Sequence, residues 1–377
     1  MIKRYWLFLA LTIFILAALL LPACSTEKTT PATTAATTKP VTTTPATTSP
    51  PVAPTTLKFS YTMPKGASVA KGFEWFGPEF EKRTQGRYKI EIYPSSTLVT
   101  INAALDSVKS GVCEIVMTSL GTFPKNFPLS SVASLPTLGF TPKTVDDYAL
   151  TYKAAWEFIN NNPEIQNEYK DFKLLFPLVL DPYSLVSKKK EVHAAADFKG
   201  MKVGGSGGKM EIVSSNGGAA VQQVPPNTYT NMEKGVTDAA FITFAQVGDY
   251  RIYELADYFY NQDFGGGFII ITMNWNAWNK MSAADQKIMM ETWEAASRVC
   301  SEGSLESISN GKKAVLAAGK KITEPTAAES AAWIAGSDPT FKKWKDDSIA
   351  LGVTSATVDK ILATWTNIQT KYAKQIK

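Results

Sequence analysis

From Leu57 onward, hydrophobic and polar positions fall into short regular patterns. LKFSYT (57–62) and YKIEIYP (88–94) alternate with the period of two expected of half-buried strands. Between them, VAKGFEWFGPEFEKRTQG (69–86) places its apolar residues at helical spacing, Pro78 notwithstanding. INAALDSVKSG (101–111) predicts a second helix stopped at Gly111, a natural left-handed C-cap, and VCEIVMTS (112–119) reads as a buried parallel strand. Strands alternating with helices call for an α/β fold built on parallel sheets with right-handed crossovers.

Two distant stretches share one plan. VKSGVCEIVMTS (108–119) and MEKGVTDAAFIT (232–243) each run from a helix end through glycine and valine, then an acidic residue, into an apolar strand. Gly111 matches Gly235, Val112 matches Val236, and Glu114 matches Asp238. MKVGG and the helix after it echo LKFSYTMP and its helix, so the whole unit is repeated and two similar lobes are expected. In open α/β sheets ligands bind beyond the carboxyl ends of the strands. That rule gathers Thr62–Pro64, Ser119–Leu120, Gly204–Ser206 and Phe241–Phe244 around one cleft.

The loop in DFKGMKVGGSGGKM (197–210) suits a close backbone approach, but it is not a nucleotide signature. Met210 follows Lys209 where a Walker loop needs Ser or Thr, Val203 stands where its first glycine should be, and G-x-G-x-x-G fails beyond Gly207. No cofactor is called for. Catalytic chemistry is thinly supplied too: the single histidine, His193, lies in a polar turn, and the chain lacks the His and Cys ligands of a zinc site. The protein therefore reads as a binder, not an enzyme.

The N-terminus sets the compartment. Lys3 and Arg4 precede an apolar run, Trp6 to Leu20, of the length of a secretory h-region, ending in Leu21-Pro22-Ala23-Cys24. This resembles a bacterial lipobox, so residues 1–23 are expected to be a signal peptide and Cys24 the lipidated first residue of the mature chain. Residues 24–56, rich in Thr, Ala and Pro, have no apolar face to bury and read as a disordered stalk between lipid and domain. The expected location is extracytoplasmic and lipid-anchored, in the periplasm or on the outer face of the cytoplasmic membrane. Losing Lys3 and Arg4 lowers the formal charge from +5 to +3, and no basic face suggests nucleic acid. Cys113 and Cys300 read as buried free thiols, with a disulfide between them left open.

Residues 57–377 resemble the extracytoplasmic solute-binding proteins of TRAP transporters, the DctP-type family. The resemblance rests on EFEKRTQGRYKIEIYPSSTL, ALDSVKSGVCEIVMTS, LPTLGF, DFKGMKV, GGAAVQQVPPNTYTNMEKGVTDAAF and MNWNAWNKMSAADQKI, in order and spacing together. It implies an α/β clamp of the periplasmic-binding-protein kind, with two lobes, hinge strands and a long connecting helix, closing on one small molecule. Lobe I would comprise about 57–180 with part of 266–300, and lobe II about 181–265 with the C-terminal helices. The implied partner is a membrane permease driven by an ion gradient.

Where the chain departs from the family, it does so at the ligand. The arginine that family members usually carry after D-x-K-G and the next strand is here Gly204. A second arginine, usual near the strand into lobe II, is missing from LVLDPYSLVSKK, which offers Asp181 and Tyr183. The D-G-x-E-N turn is Asp238-Ala239-Ala240-Phe241-Ile242. Of the mature arginines, Arg83, Arg87 and Arg298 fall away from the cleft, leaving Arg251, which reads better as a surface cap. The substrate-binding set expected is Met63, Ser119, Tyr183, Gly204, Ser206, Phe241, Ile242, Phe244 and Gln246, with Thr243 beside it. Such a cleft lacks the usual carboxylate clamp and suits a neutral or weakly charged, partly apolar solute. A binding lipoprotein of an ATP-driven importer, one serving a sensory receptor, and a secreted hydrolase stay open as alternatives.

Overall fold

The structure, a computed structural model, describes residues 53–135 and 142–376. The signal peptide, Cys24, nearly all of the stalk and most of LPTLGF lie outside the described residues, together with the expectations placed on them. Among the described residues no helix is long and apolar enough to cross a membrane.

The alternation that opens the domain becomes β1 (Thr55–Ser60), α1 (Ala70–Arg83) and β2 (Tyr88–Tyr93), with β1 and β2 parallel. Next come α2 (Ala104–Ser110), closed by Gly111 at φ 77°, and β3 (Ile115–Ser119), which pairs with β1 in parallel. β3 is shorter than the expected strand, and Cys113 is buried just ahead of it. After α3 (Val145–Asn160) and α4 (Pro163–Glu168), the ten-residue β4 (Lys173–Pro182) runs to the far lobe. Its apolar run reflects burial on both faces.

The second lobe is built by β5 (Ser184–Ser187), β6 (Lys202–Gly205), α5 (Lys209–Ser215), β7 (Ala219–Gln222), α6 (Thr228–Glu233), β8 (Ala239–Ile242), α7 (Phe244–Asp249) and β9 (Tyr258–Tyr260). β10 (Gly266–Met273) then returns to the first sheet. After α8 (Trp275–Asn279) and α9 (Ala283–Ala317) follow β11 (Lys321–Thr323), α10 (Ala327–Ala335), α11 (Asp338–Ala350) and α12 (Ser355–Ala373). The sheet orders are β2-β1-β3-β10-β4 and β11-β9-β5-β8-β6-β7. Neither is wholly parallel: β10 is antiparallel to β3 and β4, and β5 to β8 and β9. The antiparallel pairs arise where a strand arrives from the other lobe, because its direction is set by the crossing and not by a local βα unit.

The repeated sequence unit has a structural counterpart. Gly235, like Gly111, has positive φ, at 67°. Glu114 Oε2 accepts the backbone N–H of Lys58 on β1 at 2.8 Å, and Asp238 Oδ2 accepts that of Lys202 on β6 at 2.9 Å. In each lobe the same acidic position pins the neighbouring parallel strand.

The connecting helix α9 has 35 residues and so spans about 52 Å at 1.5 Å per residue. It packs on α1, α3 and α7. Its glycines permit the approach: a Cβ on Gly303 would overlap the Ser68 carbonyl, and one on Gly311 the Phe244 carbonyl. The C-terminal helices, expected with lobe II, divide. Trp333 of α10 packs with Phe198 and Phe264 of the second lobe, whereas Val358, Ile361, Trp365 and Ile368 of α12 join Phe158 in a first-lobe core. Between them α11 touches both lobes. Thr340 Oγ1 donates to the Gly208 carbonyl at 3.0 Å, while Trp344 Nε1 and Ser348 Oγ donate to that of Pro128 at 2.7 and 3.0 Å. Cys113 and Cys300 are buried free thiols, as the sequence suggested.

Candidate functional site

The loops that follow the carboxyl ends of β3 and β6 approach each other between the lobes. There the Gly-rich loop meets lobe I: a Cβ on Gly121 would lie 3.9 Å from Gly207 Cα, and one on Gly208 would lie 2.9 Å from Leu135 Cδ2. A cavity of about 710 Å³ opens at this edge, bounded by Gly121 and Leu135 on one side and Gly207, Gly208 and Met210 on the other. A second, of about 630 Å³, lies at the hinge and is bounded by Asp181, Ser184, Phe244 and Asp263, with Lys143 and Lys312 also on its wall. Both are of the size that holds a small organic ligand.

The expected site residues do not all reach these cavities. Tyr183, at the start of the crossing into lobe II, is buried beside the hinge, and Phe244 lines the second cavity. Met63 is buried at the edge of the first-lobe core. Ser119 ends β3, and Ser206 sits half-buried in the Gly-rich loop. Phe241 and Ile242 point to opposite faces of β8 and belong to separate cores; Phe241 packs edge-on against Phe264 at 5.0 Å. Gln246 and Thr243 form the capping box of α7, each accepting the other's backbone N–H, so the Gln246 amide oxygen and the Thr243 hydroxyl oxygen are engaged in holding the helix start. Gly204 faces Gln223, whose amide oxygen would lie 2.7 Å from a Cβ there. Gln223 in turn bonds Thr228 and Asn231, at 3.2 and 2.7 Å, so a neutral amide network fills the arginine position.

The arginines are engaged elsewhere. Arg83 pairs with Glu79 and Arg298 with Glu302 along their own helices, while Arg87 holds Asp285 at 2.6 Å. Arg251, with its side chain 69% exposed, pairs with Glu254. His193 is likewise a surface group, held between Glu191 and Glu329.

In sequence Lys209 reads only as the lysine of a failed Walker loop, yet it is 3% exposed, with its ammonium 4.2 Å above the Tyr183 ring. Burial pushes its pKa down to about 8, opposed only by the charge of Asp263. Among the described residues, no acceptor takes a hydrogen bond from it. Two further acids are perturbed by burial. Asp181, at the end of β4, is buried and accepts hydrogen bonds from Tyr148 and Ser304; burial raises its pKa. Asp249 is pushed up to about 6, by burial first and then by the charge of Asp181. Tyr183 is pushed up to about 12 by burial and then by Asp181.

Lys209 also gives a pH signature. Its folded pKa lies below the ordinary 10.5, so the charged form opposes folding with full effect below about pH 8. That penalty fades as pH rises from 8 to 10.5, for an expected gain of about 2 kcal/mol after relaxation of the site. Denaturant titrations of wild type and Lys209→Met at several pH values would show it: the advantage of the methionine variant should shrink above pH 8. A difference that stays constant across that window would mean the lysine is not buried in charged form.

The comparisons with known proteins agree with the fold. Bacterial extracellular solute-binding protein family 7, DctP, matches residues 59–347, and the chain belongs to this family. A solute-binding protein of Albidiferax ferrireducens is 28% identical over 209 residues, 54% of this chain and 60% of that protein. The C4-dicarboxylate-binding periplasmic protein DctP of Shewanella loihica is 22% identical over 312 residues, 78% of this chain and 86% of its own. Among solved structures, a TRAP solute-binding protein of Rhodoferax ferrireducens with copurified benzoate superposes with a TM-score of 0.76. It is 22% identical, over 85% of this chain and 99% of that one.

Proposed function

We propose that this protein captures a small organic acid outside the cytoplasm and presents it to a TRAP-type permease driven by an ion gradient. Cys24 would carry the lipid that keeps it at the membrane, with residues 24–56 as tether. The observation that carries the reading is the arrangement of two like α/β lobes around interlobe cavities, with a buried cation, Lys209, adjoining their walls. The relatives support it: one is named for a C4-dicarboxylate and one was found with benzoate, and what those two ligands share is a carboxylate. The expectation of a neutral solute rested on counting arginines, and Lys209 changes that electrostatic balance.

Thermal-shift titration of the full chain against organic acids, sugars and polyols tests this. A genuine solute at a hundredfold excess over its dissociation constant stabilises by about 2.7 kcal/mol. Carboxylates are expected to give the shifts. Stabilisation by neutral polyols alone, with every carboxylate silent, would return the argument to the neutral-solute reading.

A further inference from the structure

Lys209 is on the wall of neither interlobe cavity but adjoins both. Its chain neighbours Gly208 and Met210 bound the first, and Asp263, whose charge acts on it, bounds the second. We infer that Lys209 is the residue that receives the solute's carboxylate, in place of an arginine at Gly204 or in the strand leading to Tyr183. This rests on the organic-acid reading above and names the group that would make it specific.

The argument is one of cost. An ammonium taken out of water without a hydrogen-bond acceptor is expensive, and strongly perturbed groups of this kind cluster at functional sites. Three features of the surroundings leave the charge incompletely met. The Tyr183 face offers a cation–π contact at 4.2 Å, weaker than a paired carboxylate. Lys209 is the first residue of α5, the end at which the helix dipole disfavours a cation. Asp263 acts on it through charge alone, without a hydrogen bond. A carboxylate seated against the ammonium would supply an acceptor that none of the described residues provides, while Tyr183 offers a flat apolar surface beside it.

Gln223 explains why the charge sits here. With its amide against Gly204 and its partners Thr228 and Asn231 beyond, Gln223 occupies the space that an arginine side chain there would enter. A cation has to come from another element, and α5 begins four residues after β6 opens into the Gly-rich loop.

The test is calorimetric titration of the full-length protein with benzoate, succinate, pyruvate and glucuronate, each beside its amide. In wild type, at least one acid should bind 100-fold or more tightly than its amide, a measurement that does not depend on any variant folding. Lys209→Met should reduce binding of that acid by 100-fold or more and leave the amide within about threefold, without lowering the melting temperature of the unliganded protein. Lys209→Arg should keep binding within roughly tenfold. Unchanged acid binding by Lys209→Met would overturn the inference while leaving the organic-acid reading intact. Equal binding of acid and amide by wild type would overturn both. A methionine variant that melts earlier yet binds the acid normally would assign Lys209 a structural role and likewise overturn it.

Discussion

Alanine at position 311 is expected to destabilise the protein by roughly 3 kcal/mol or more, against the usual trend for a helix interior. Glycine inside a helix ordinarily costs about 1 kcal/mol relative to alanine, so the replacement should help if only local propensity mattered. Here a Cβ would overlap the Phe244 carbonyl oxygen and lie 2.8 Å from its carbon and 3.3 Å from Gly248 N. Those are backbone atoms of α7 and cannot swing aside, so α9 and α7 must separate, with the cost of overpacking and of lost contacts along the crossing. Equilibrium denaturation of Gly311→Ala measures it, and Gly319→Ala is no fair control because Gly319 has φ 73°. An unchanged or raised midpoint would mean that the helices are not as closely packed as described.

Trp293→Ala is expected to cost about 4 kcal/mol, at the upper end for loss of a large core side chain. The indole is fully buried, stacked on Phe76 at 4.1 Å between ring centroids and edge-on to Phe59 at 5.6 Å. It thereby ties α9 to α1 and β1, the elements from which the first lobe is built. Removing it leaves a cavity ringed by aromatic side chains, which cannot collapse without breaking their mutual geometry. Trp293→Phe should lose less than half as much. A loss below 1 kcal/mol for the alanine variant would show that the cluster refills the space.

The fold was legible because its signals are local and repeated. The alternation of β1 and β2, the spacing of α1 and the glycine stop of α2 each belong to one contiguous stretch, and hydrophobic period alone specifies them. The repeat was visible because Gly111 and Gly235 need positive φ and because Glu114 and Asp238 each satisfy a strand amide, constraints that few residue types meet. The mixed direction of the sheets was not visible, since nothing in the residues of β10 says which lobe they come back from. The site was harder still. Strand residues such as Phe241 and Ile242 alternate between faces, and only packing decides which face becomes core. Gln246 looks like a free amide in sequence and is a helix cap in space. Lys209 looks like any surface lysine until the Gly-rich loop folds back and places it over Tyr183, an encounter between residues 26 positions apart.

The bridge made by α11 bears on timing. Its bonds to Gly208 on one lobe and Pro128 on the other lie across the same edge that bounds the larger cavity. A solute leaving by that edge has to wait until Thr340, or Trp344 and Ser348, let go. Dwell time and affinity would then be set by different parts of the molecule, so two solutes held equally well would not need to be surrendered at the same rate.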